Sequence, residues 1–124
     1  MILNIKAAEL RKKILDGEKL RLIDVREAKE FESAHIKDSE FLPVTELHEK
    51  YQEVLKDKDE NIVLICRSGG RSMIISIFLE DQGYNNIVNF EGGVLAWSES
   101  GLPLTPTKEI LPSGLKCMPD FFKL

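Results

Sequence analysis

The stretch from Asn61 to Gly83, NIVLICRSGGRSMIISIFLEDQG, constrains the fold of this chain more than any other. Its first six residues form a continuous aliphatic and β-branched run. Such a run reads as a strand covered on both faces, because a strand with one wet face would alternate. Glycines and arginines follow, and then an apolar run of helical length that stops at Gly83. Strand, short turn and helix make up the unit from which parallel sheets are wound.

The rest of the chain continues the alternation. KAAELRKKILDG sets Ala7, Leu10 and Ile14 at helical spacing and stops at Gly17. LRLIDV (20–25) reads as a short strand and EAKEFESAH (27–35) as a short helix carrying Phe31. SEFLPV (39–44) is an extended piece that Pro43 ends. TELHEKYQEVLKDKDE is helical, with Thr45 as its N-cap, Leu47, Tyr51 and Val54/Leu55 on one face, and His48 in solvent. The helix after the paired glycines is expected to be mostly buried. NIVNF (86–90) is another strand and GGVLAWSES another helix. Glu91, Gly92 and Gly93 build the turn between them, and Trp97 belongs to the core. The expected architecture is α/β, a mostly parallel central sheet flanked by helices on both faces. Residues 1–104 make up one domain. Residues 105–124 form a tail, rich in proline, whose Leu111, Leu115, Phe121 and Phe122 pack on that domain or on a partner subunit.

Composition narrows the function classes. The chain has 124 residues, 43% hydrophobic and 31% charged, which suits one globular domain. No apolar run approaches the roughly 20 residues of a spanning helix. The N-terminus lacks the order of a secretory signal, so a soluble, cytoplasmic protein is expected, with no membrane contact. A net charge of −4 argues against nucleic acid as a partner. Two cysteines far apart, Cys66 and Cys117, are no disulfide framework. With two histidines and no Cys-x-x-Cys, neither a metal nor another cofactor is expected.

The candidate site is the segment Cys66-Arg67-Ser68-Gly69-Gly70-Arg71-Ser72. In an open parallel sheet, ligands collect beyond the carboxyl ends of the strands. Cys66 stands at such an end, before a helix whose first N–H groups and partial positive charge favour an anion. A thiol there ionises more readily. Arg67 and Arg71 add positive charge, Gly69 and Gly70 leave room for a ligand, and Ser72 is read as the helix cap first and as a loop hydrogen-bonder second. A lone cysteine closing a strand is ordinarily a small core residue. Its neighbours set this one apart.

CRSGGRS resembles the active-site loop of single-domain rhodaneses, which are sulfurtransferases. Three further stretches agree in kind and order. They are LIDVREAKEFESAHI (22–36), FLPV (41–44) and GYNNIVNFEGGVLAWSESGLPL (83–104). The resemblance covers roughly residues 2 to 104, with Ala34 where the family usually has glycine. It implies that Cys66 attacks a small anionic sulfur donor, thiosulfate or a persulfide, and carries the sulfur as a persulfide. A thiol or cyanide, or a sulfur-accepting protein, then collects it. Arg67 and Arg71 would hold the anionic donor, and the loop N–H groups would stabilise the persulfide. The same resemblance makes Asp24 and Arg26 a structural pair tying loops together near the site.

His35 is read as a loop hydrogen-bonder, since a thiolate already formed needs no base. Phe31 and Leu95 are candidates to border the pocket. Cysteine phosphatases place five residues between cysteine and arginine, whereas four separate Cys66 from Arg71. The shorter ring suits sulfur better than phosphate. Two functional readings stand beside the enzyme. One is a persulfide carrier that delivers sulfur to a partner with little turnover on thiosulfate. The other is an inactive regulatory domain, against which the retained Cys66 and both arginines argue. Cys117 is read as an incidental tail thiol, with a sulfur relay as the alternative.

Overall fold

The structure of the chain is a computed structural model that describes residues 2–105. Apart from Thr105, the expected tail lies outside the described residues, and Cys117 with it. Ten elements follow one another among the described residues. They are β1 (Leu3–Ile5), α1 (Ala7–Leu15), β2 (Arg21–Asp24), α2 (Ala28–Ser33) and β3 (Glu40–Phe41). After them come α3 (Val44–Val54), β4 (Ile62–Ile65), α4 (Gly70–Asp81), β5 (Ile87–Phe90) and α5 (Gly93–Glu99). The five strands make one sheet in the order β1-β5-β4-β2-β3, and every pair in it is parallel. The α/β architecture expected from the alternation is the one observed. No helix among the described residues is long and apolar enough to cross a membrane.

The central strand β4 explains the two-sided core. Side chains alternate along a strand, so Ile62 and Leu64 enter one layer and Val63 and Ile65 the other. The first layer holds Leu47 and Leu55 beside Ile75 and Leu79 of α4. The second holds Ala7 and Leu10 of α1, Phe90, and Val94 and Trp97 of α5. All four β4 residues are buried, as a continuous apolar run requires.

The topology fixes where a ligand can sit. The connection from β2 runs through α2 to β3 at one edge, while that from β4 runs through α4 to β5 on the other side. β2 and β4 are neighbours whose connections depart in opposite directions. A crevice therefore opens beyond their carboxyl ends. Asp24 closes β2 and Cys66 follows β4 at that point.

Four expectations about the elements need correction. β1 was not anticipated: it is an edge strand of three residues with only Ile5 buried, so it carries no apolar run. The N-cap of α3 is Pro43, not Thr45; the Pro43 carbonyl accepts from Glu46 and Leu47 N–H at 2.9 Å each. α4 is not mostly buried. Ile75 and Leu79 face the sheet, but Ile74 is 69% exposed and Ile77 is exposed too, because only one side of this helix has a layer to pack against. For the same reason Ile14, at the edge of the α1 stripe, faces water.

Candidate active site

The loop after β4 has two chemically different sides. Gly69, with φ +100°, turns the chain into α4 and donates its N–H to Cys66 Sγ at 3.0 Å. The carbonyls of Cys66 and Arg67 are turned toward α5. They accept the N–H groups of Val94 and Leu95 at 2.9 Å each. The start of α5 thus holds the loop by its acceptors and leaves its donors for the sulfur. This contact demands a glycine at 93, where φ is +56° and a Cβ would lie 2.2 Å from the Cys66 carbonyl oxygen. Gly69 is held less closely. A Cβ there would stand 3.1 Å from Gly92 N.

Cys66 is 1% exposed. Burial pushes its thiol up, yet the net direction is down. The Ser72 hydroxyl and the backbone N–H groups of Ser72, Gly69 and Ser68 outweigh the desolvation by stabilising the anion. Ser72 is not the helix cap expected from sequence. Gly69 occupies that position, and Ser72 lies inside the first turn. Its Oγ is 3.4 Å from Cys66 Sγ and 2.5 Å from Asn89 Oδ1. Asn89 Nδ2 in turn donates to Asn4 Oδ1 at 2.9 Å. A polar chain therefore runs from exposed Asn4 on β1 through buried Asn89 on β5 to buried Ser72 on α4.

The three arginines are held differently. Arg26 is buried and forks onto the fully buried Asp24, its Nε and Nη2 lying 2.9 Å from Asp24 Oδ1 and Oδ2. Its Nη2 also reaches the Ala34 carbonyl at 2.7 Å, so the pair ties the end of β2 to the end of α2. Arg71, expected from sequence to hold the anionic donor, is paired within the chain. Its Nη1 and Nη2 bond Glu30 Oε1 and Oε2 of α2 at 3.0 and 3.1 Å. That fork draws the Glu30 carboxyl below the usual carboxylate range, and Glu30 also accepts the Glu27 N–H of its own capping box. The Arg67 guanidinium is exposed and has no carboxylate partner among the described residues.

A cleft of about 330 Å³ opens beside the loop, bordered by Arg67, Glu30, Ser33, Val94, Leu95 and Leu104 among others. Leu95 borders it as expected. Phe31 is not among its lining residues; its ring stacks on His35 with centroids 3.9 Å apart and meets Phe41 at 5.0 Å. His35 donates Nδ1–H to the Phe31 carbonyl at 2.9 Å and pairs its backbone with Thr105, a loop-ordering arrangement. His48 is exposed, and Trp97 is buried with its Nε1–H on the Pro103 carbonyl at 2.8 Å.

Sequence reasoning missed Asn89 and Glu30 as parts of this site. Asn89 had a signal: a polar side chain inside the apolar run NIVNF has to find a buried partner. Glu30 had only its place in the Glu-Phe pair of the family resemblance, because an acidic residue in a short polar helix looks solvated until the fold brings Arg71 to it.

Comparison with known proteins gives a concordant picture. A family model described as Rhodanese-like domain matches residues 6–100. A protein of Allochromatium vinosum named "Sulfurtransferase" is 35% identical over 104 residues, covering 84% of this chain and 95% of that protein. The "Putative sulfurtransferase YtwF" of Bacillus subtilis is 40% identical over 102 residues, covering 82% and 96%. Among solved structures, a rhodanese-related protein from Thermoplasma volcanium superposes with a TM-score of 0.74 at 35% identity. That match covers 83% of this chain and 97% of the other.

Proposed function

The chain belongs to the rhodanese-like domain family, with sulfur transfer as its general role, and on that premise we propose a thiosulfate or persulfide sulfurtransferase that works through Cys66. The Cys66 thiolate attacks the outer sulfur of thiosulfate. A new sulfur–sulfur bond forms, the old one breaks, and sulfite leaves with its electron pair. The outer sulfur stays on Cys66 as a persulfide anion. An acceptor thiolate or cyanide then attacks that sulfur, and the Cys66 thiolate departs. In this reading the loop from Ser68 to Ser72 seats the persulfide, and Arg67 meets the anionic part of the donor. A thiol that must return to its free state each cycle suits a reducing, cytoplasmic setting.

One observation carries the proposal: the Gly69 N–H aimed at Cys66 Sγ at 3.0 Å, at the point where α4 begins. The test is the intact mass of the protein after thiosulfate treatment, followed by thiocyanate release on adding cyanide. The wild type gains one sulfur atom and turns over; Cys66→Ser does neither. If no sulfane donor adds mass at Cys66, the proposal fails.

The burial of Cys66 favours a second reading. A persulfide held in a nearly closed cradle is shielded from water and stray thiols, which suits a carrier that releases sulfur only to a docked protein. Persulfide on Cys66 with negligible thiocyanate formation selects that reading.

A further inference from the structure

We propose that Glu30 sets the charge of the donor this site accepts, favouring an organic persulfide, R–S–SH, over dianionic thiosulfate. The inference rests on the reading of Cys66 as the sulfur-accepting nucleophile.

The charges around the loop cancel. Arg26 is matched by Asp24 and Arg71 by Glu30, each through two guanidinium nitrogens. Arg67 remains, and the Cys66 thiolate offsets it. Arg71 follows Gly69, whose N–H meets the sulfur, by two residues, and the sulfur's charge favours its guanidinium, so what Glu30 does to Arg71 bears on Cys66. Glu27, Lys29 and Glu32, the other charged residues flanking Glu30, are exposed; Glu27 adds to the negative charge that acts on Arg71, which Lys29 offsets in sign.

Thiosulfate brings two negative charges to a site that, once ionised, has no net positive charge left. Cys66 is almost wholly buried, so solvent screens the repulsion there weakly. An organic persulfide brings one negative charge at most, and none in the protonated form that is attacked. The thiolate attacks its terminal sulfur, and Cys66–S⁻ plus R–S–SH gives Cys66–S–SH plus R–S⁻. The cleft beside the loop agrees with a carbon-bearing donor. At about 330 Å³ it falls in the range of organic-ligand pockets. Its walls include Ala34, Val94, Leu95 and Leu104, with Glu30 and Arg67 at the loop side.

The experiment measures single-turnover loading of Cys66 by mass, with thiosulfate and with 2-hydroxyethyl persulfide as donors. The wild type is expected to load faster from the persulfide. Glu30→Gln removes the offsetting charge and frees Arg71. The ratio of thiosulfate to persulfide loading rates should then rise about tenfold. Arg71→Gln leaves Glu30 unpaired and should lower thiosulfate loading more than persulfide loading. A Glu30 that merely positions Arg71 would slow both donors in proportion, and an unchanged ratio in both variants overturns the proposal. If neither donor loads the wild type, the parent reading of Cys66 fails, and this inference with it.

Discussion

At the residue scale, Cys66 shows two opposed effects deciding one protonation state. Desolvation raises the thiol, and four hydrogen-bond donors lower it by more. The folded thiol therefore ionises below its ordinary 9.0, and the unfolded chain holds the proton to higher pH. Between those two values the unfolded state binds more protons, so the cysteine's contribution to stability grows as pH rises and is lost as pH falls through the folded pKa. Alkylation of Cys66 followed against pH should show its midpoint below that of a free thiol. Ser72→Ala should move the midpoint upward, since one of the four donors is gone. A midpoint unmoved by Ser72→Ala would assign the hydroxyl wholly to Asn89. The sequence exposed Cys66 and the donors beside it. It did not expose the Ser72–Asn89–Asn4 chain, because its members come from segments far apart and only the sheet makes them neighbours.

At the element scale, the loop keeps its shape because α5 grips it. Val94 and Leu95 N–H groups fasten the Cys66 and Arg67 carbonyls, and the grip needs the two backbones in contact at Gly93. Gly93→Ala adds a left-handed strain of about 1–2 kcal/mol and drives a Cβ into the Cys66 carbonyl. Urea unfolding should show a loss of at least about 2 kcal/mol, with slower persulfide loading. Gly70→Ala is the control. That residue starts α4 with nothing within 4 Å of a Cβ, and the change should leave stability equal or higher by up to about 1 kcal/mol. Equal losses at the two positions would refute the grip. The Glu-Gly-Gly segment read correctly as a turn from sequence; that the same turn also braces the loop after Cys66 depends on β4 and β5 lying side by side.

At the scale of the whole molecule, the buried Asp24–Arg26 pair anchors the crevice from the β2 side. Asp24→Ala strands a buried guanidinium and should cost about 3–5 kcal/mol of stability, seen as a lower melting temperature. An Asp24→Ala protein that melts like the wild type but does not load sulfur would instead make Asp24 part of the chemistry. Local pattern was enough to fix the strand–helix alternation, the aliphatic β4 and the placing of a cysteine at a helix start, because propensity, apolar periodicity and turn glycines act over a few residues. Strand order, the pairing of Arg71 with Glu30 and the exposure of one side of α4 depend on which distant segments meet. Those outcomes were settled by packing, since a charge is neutralised and an apolar face is covered only when the folded chain brings it a partner.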